Sequence, residues 1–131
     1  MKSGGPALGM RLRLWLETDA GVALGPGKIR LLELIAGLGS LNKASKAMHM
    51  SYRAAWGKIK AAEKNLGQAL ISRDLGRRGY QLTDLGIGLV EAYNKWRAQV
   101  RGFAQESAEQ CFSRPVKVLG GAQDRYEDAD E

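Results

Sequence analysis

Gly39-Ser40-Leu41-Asn42-Lys43-Ala44-Ser45-Lys46-Ala47-Met48-His49-Met50-Ser51, continuing as Tyr52-Arg53-Ala54-Ala55-Trp56 to Leu66, is the stretch that decides the fold. Gly39 stops one helix and Ser40 caps the next, a short one running from Leu41 to about Met48. A third helix opens at Ser51 and ends before Gly67. Ala44 stands where the two helices must cross closely, and Leu41, Ala47 and Met48 complete the inner face of the short one. At about 100° per residue, Ala55, Ile59, Ala62 and Leu66 form a core stripe on the third helix. Arg53, Gly57, Lys60 and Lys64 fall on the opposite stripe.

Upstream, Lys28 to Leu38 reads as a helix with Ile29, Leu32, Ile35 and Ala36 on one face. Asp19 to Gly27 is rich in glycine and proline and reads as a loop. Before it, Met10 to Thr18 alternates Leu12, Leu14 and Leu16 against Arg11, Arg13, Trp15 and Glu17, the pattern of a half-buried strand. Downstream, Leu70–Asp74 and Tyr80–Thr83 are two short strands around the hairpin tip Leu75-Gly76-Arg77-Arg78-Gly79. Thr83 caps a last helix from Asp84 to about Phe112, with Asp84 placed to complement its dipole. The predicted class is mainly α with a small β part. It is a winged helix-turn-helix over residues 10–83, with an N-terminal strand and a long dimerisation helix over 84–112. Residues 1–9 read as flexible, and 113–131 as a disordered acidic tail.

Charge is concentrated in the same stretch. The whole chain carries a formal charge of +6, whereas Ser40 to Thr83 holds nine basic residues against Glu63 and Asp74 alone. A solvated helix face explains a lysine run by itself. It does not explain Arg77 and Arg78 at a glycine-flanked tip, where packing demands neither. One fold brings both features to one side, which points to double-stranded DNA. The N-terminal residues of the second helix of such a motif enter the major groove, here Ser51, Tyr52 and Arg53. Arginine donates two hydrogen bonds to guanine, and Tyr52 is placed for a phosphate or a thymine methyl. Ser40, Lys43, Lys46, Lys60 and Lys64 suit backbone phosphates, and Arg77 and Arg78 the flanking minor groove or backbone. Trp56 lies off the core stripe and reads as an anchor packed under the first strand or helix.

Other chemistries find little support. Gly25-Pro26-Gly27-Lys28 has the look of a phosphate loop, but Val22 and Ile29 occupy positions that need glycine and Ser or Thr. One Cys and one His supply no cysteine-based metal cage and no catalytic constellation, so the expectation is no enzyme, no metal and no cofactor. No apolar run of membrane-spanning length occurs, and the first nine residues lack a secretory apolar segment. A cytoplasmic, nucleoid-associated location is expected.

Along the last helix Leu89, Tyr93, Trp96, Val100 and Phe103 recur at heptad spacing. Leu85 and Val90 can cover the domain, leaving the seam for a twin chain or for the chain's own first strand. Against a twin, each such residue contributes at most ~1.5–3 kcal/mol, and half-sites one or two helical turns apart follow.

The run Gly39–Ser51, with Leu82-Thr83-Asp84-Leu85-Gly86 after the hairpin, resembles the helix-turn-helix of LysR-type and ModE-type regulators. Met50-Ser51-Tyr52-Arg53-Ala54-Ala55-Trp56 and the leading strand look closer to ModE, whose recognition helix opens with a similar Ser-Tyr-basic-x-Ala-Trp pattern. The resemblance covers about Met10 to Phe112 and implies a bacterial or archaeal DNA-binding regulator that dimerises through the long helix. ModE proteins carry further oxyanion-binding domains that find no counterpart in these 131 residues, so molybdate sensing is not carried over. The alternatives are a winged protein-interaction module and a DNA-binding partner of a separate oxyanion-sensing protein.

Overall fold

The computed structural model describes residues 6–74 and 79–120. Three helices form the centre: α1 (Pro26–Leu38), α2 (Leu41–Ala47) and α3 (Tyr52–Leu66). Each boundary has a local cause. Pro26 starts α1, where its missing N–H costs nothing, and Gly39 ends it at φ 69° with its N–H on the Ile35 carbonyl. The Ser40 hydroxyl accepts the Lys43 N–H at 3.1 Å, and Ser51 accepts that of Ala54 at 3.0 Å. Between α2 and α3, His49 takes the left-handed turn position at φ 58°, and the Met50 N–H reaches back to the Ser45 carbonyl.

Leu31, Leu32 and Ile35 of α1 pack against Leu41, Ala44 and Met48 around α2 and against Ala55, Ile59 and Ala62 of α3. Leu70 and Ile71 close this core from the hairpin side. Ala44 is fully buried at the helix crossing, as expected, whereas Ala36 and Ala47 face solvent. Strands β4 (Ile71–Asp74) and β5 (Gly79–Leu82) pair antiparallel, Ile71 opposite Leu82 and Arg73 opposite Tyr80.

Helix α4 spans Asp84–Phe112. The Leu-Thr-x-x-Gly pattern at its start is a joint. Thr83 Oγ1 accepts the Gly86 N–H and donates to the Ala69 carbonyl at 2.8 Å, while its own N–H bonds Leu70. Gly86 lets the helix lie against that segment, because a Cβ there would stand 2.5 Å from the Leu70 oxygen.

The ends of the chain depart from the expected pattern. The single strand expected over Met10–Thr18 is two separate strands, β1 (Leu8–Met10) and β2 (Leu16–Thr18). The segment expected as a loop contains β3 (Gly21–Leu24), which pairs antiparallel with β2. Ala23 and Leu24 of β3 join Ile29 and Tyr93 in a second small core. Glycines there mark a tight turn at Gly21 (φ 139°) and the entry to α1, not an unstructured connection. Lys28 is buried, its ammonium on the Val22 carbonyl at 3.2 Å, a structural use that a phosphate loop would not allow.

Beyond Ser113 the expected tail is instead β6 (Val116–Val118), parallel to β1 with Leu8 opposite Val116. Val116 is buried, its N–H donating to Glu109 and its carbonyl accepting from Gln105, so the last turns of α4 hold the strand. The flexible segment expected over residues 1–9 likewise gives way to β1 from Leu8. Residues 1–5 and the acidic run after 120 lie outside the described residues.

Candidate nucleic-acid interface

Helix α3 presents the two stripes its sequence predicts. Ala55, Ile59 and Ala62 are fully buried and Leu66 half-buried. Arg53, Gly57, Lys60 and Lys64 are exposed. Among the described residues a Cβ at Gly57 would meet nothing within 4 Å, so packing among them does not require glycine there. Lys43 and Lys46 project from the outer face of α2, and Tyr52 is exposed in the first turn of α3. Ser40 and Ser51 use their oxygens as helix caps, which leaves each hydroxyl hydrogen available to an outside acceptor. The paired arginines 77 and 78 lie outside the described residues.

One residue behaves differently from expectation. Lys60 donates to Glu63 at 2.9 Å and stands 4.4 Å above the Trp56 ring. Its charge is therefore partly spent inside the protein, unlike that of Arg53 or Lys64. Trp56 packs against the core that includes α1, the helix alternative expected for it and not the strand, and also against Tyr80 of β5, ring centroids 5.9 Å apart. Arg73 stands 5.6 Å from the Tyr80 ring on the same side.

Glu63, read from sequence only as a charge opposing the basic run, is a hinge pin between α3 and the hairpin. Its carboxylate accepts the N–H of Leu70 at 2.7 Å and of Ile71 at 3.2 Å, besides the Lys60 ammonium. Burial works to raise the carboxyl's pKa, but the Leu70 N–H, the Lys60 ammonium and the Ile71 N–H together hold it below the ordinary value. An acidic residue three positions after a lysine looks like a surface pair in sequence; nothing in the spacing marks its backbone partners.

The heptad seam on α4 divides. Leu89 and Val90 pack on the domain, and Tyr93 is only 2% exposed, its hydroxyl donating to the Leu14 carbonyl at 2.9 Å. Trp96 meets the Tyr93 ring edge-on at 5.9 Å. This half of the seam has its partners within the chain: Ala23, Leu24 and Ile29 cover it, and the Leu14 carbonyl takes the Tyr93 hydroxyl. Val100 is half-buried, and Phe103 is 74% exposed.

Residues 27–87 match the model of bacterial regulatory helix-turn-helix proteins of the lysR family. The chain is 37% identical over 112 residues to the molybdenum transport protein ModE of Azotobacter vinelandii, covering 83% of this chain and 40% of that protein. Among solved structures, the full-length LysR-type regulator LysG of Corynebacterium glutamicum superposes with a TM-score of 0.51 at 31% identity, over 65% of this chain and 29% of that one. The CbnR DNA-binding domain in its DNA complex superposes at 0.53 and 22% identity, over 67% and 98%, and shares the fold. The chain thus spans well under half of the ModE it matches.

The described residues share the winged helix-turn-helix fold, and residues 27–87 are similar to the LysR-type helix-turn-helix. Within that class the chain is ModE-like.

Proposed function

We propose that this chain acts as a dimeric, sequence-specific regulator on double-stranded DNA, with α3 in the major groove and the β4–β5 hairpin on flanking minor groove or backbone. The observation that carries the reading is the outward stripe of α3. Arg53 stands exposed in the first turn, where such helices meet base edges, and Lys64 stands exposed three turns later. Among the described residues, neither side chain has an ion-pair partner. Lys43 and Lys46 on α2 extend the positive surface without reading sequence.

Selection of bound fragments from a random duplex library at low ionic strength tests the reading. Arg53→Ala should relax the selected sequence, and Lys64→Ala should weaken all duplexes alike with a shallower salt dependence. Equal binding by both variants and the parent would remove α3 from the groove.

The second copy is proposed to pair through the outer face of α4 around Phe103, not through Tyr93, which the chain's own arm supports. Phe103→Asp should then halve the mass seen by light scattering. A DNA-bound regulator of this kind works in the cytoplasm, alone or with a separate sensor protein.

A further inference from the structure

Between α3 and the hairpin lies an open groove of about 330 Å³, lined by Tyr52, Arg53, Trp56 and Tyr80. Tyr52 and Trp56 are four residues apart and share one face of the helix. Tyr80 leans against Trp56 from β5. The floor is therefore aromatic, and Tyr52 is 45% exposed at its mouth. Cations surround it: Arg53 in the lining, Lys60 over Trp56 and Arg73 over Tyr80.

We infer that the Tyr52–Trp56–Tyr80 groove reads a thymine by its 5-methyl group, beside the base contacted by Arg53. This rests on the DNA-binding reading above and names what one part of that surface selects. An aromatic floor offers little to the donors and acceptors of base edges. The thymine methyl is the apolar group that the major groove displays, and it distinguishes thymine from cytosine at the same position. The cationic rim fits a polyanion and disfavours an uncharged apolar peptide. The groove opens beside the first turn of α3, the part of such a helix that reaches base edges.

The test uses the whole chain and its own selected duplex, with each thymine replaced singly by deoxyuridine, which deletes only the methyl. One thymine per half-site should show about fourfold weaker binding, the worth of burying one methyl-sized group. Tyr52→Ala should erase that thymine–uracil difference while keeping the salt dependence of the parent, and Tyr52→Phe should preserve it. Circular dichroism should be unchanged, since Tyr52 is an exposed helical residue. Tight duplex binding with no sensitivity to any single uracil overturns the inference and leaves DNA recognition standing. A Tyr52→Ala variant with the parental thymine–uracil ratio overturns it as well. Failure to retain any duplex at low ionic strength removes both readings together.

Discussion

The helix-turn-helix and the arm that runs along α4 are built by different means. In the first, caps, stops and core partners lie close in sequence: Ser40 with Lys43, Ser51 with Ala54, Gly39 with Ile35. In the second, the chain's distant parts meet: β1 with β6, Leu14 with Tyr93, Pro6 with Arg114. The first region is specified by local chemistry that any short stretch carries with it. The second exists only once the long helix offers it a surface. A module of the first kind tolerates changes elsewhere, while the arm depends on the helix at every point.

The largest effect expected is at the joint between the two regions. Gly86→Ala drives a methyl into the Leu70 carbonyl and should cost about 3 kcal/mol in urea denaturation, since overpacking against backbone has little room to relax. A loss below about 0.5 kcal/mol would show the joint to be loose.

Glu63 comes next, within the helix-turn-helix and hairpin. Glu63→Ala leaves the Leu70 and Ile71 N–H groups without their acceptor and should cost about 2 kcal/mol. Because the folded carboxyl lies below its ordinary value of 4.5, its contribution is complete above that value and is lost as pH falls through the lower folded one. The parent should therefore lose more stability than Glu63→Gln on acidification below pH 4.5. Parallel acid limbs for the two proteins would mean that the carboxylate is not coupled to folding.

Tyr93→Phe isolates the arm. Loss of the hydrogen bond to Leu14 should cost about 1 kcal/mol and raise amide exchange around residues 8–16, with the core of α1–α3 unchanged. Exchange rising equally in both regions would merge them into one cooperative unit. Gly57→Ala has the smallest effect and the opposite sign. It should stabilise α3 by roughly 0.8 kcal/mol, because nothing among the described residues occupies the space of the added methyl. Duplex affinity should fall in the same variant, separating a residue kept for an outside contact from one kept for the fold.

The same division explains what could be read in advance. The limits of α3 and α4, the core stripe of α3 and the hairpin pairing were legible because periodicity and capping residues encode them. Alternation in 10–18 misled, since Leu16 is exposed in β2 and the strands at either end pair with different partners. Val116-Lys117-Val118 is too short to announce a strand, and only its distant partner at Leu8–Met10 makes it one. On the outward stripe of α3, the exposure of Arg53 and Lys64 followed from helical spacing. The commitment of Lys60 to Glu63 and Trp56 did not, because it depends on how the hairpin docks. The seam on α4 was visible as a pattern, but a pattern does not name its occupant: Tyr93 belongs to the arm and Phe103 to solvent.

Joining Leu8 to Val116 closes a ring of more than a hundred residues, with Leu119 adding a last bond to the Met10 carbonyl. Such a clasp gains no help from neighbours in sequence and carries the entropic cost of closing a long loop. Freeing the arm would take the Leu14 carbonyl from the Tyr93 hydroxyl, while Ala23, Leu24 and Ile29 would keep that ring covered.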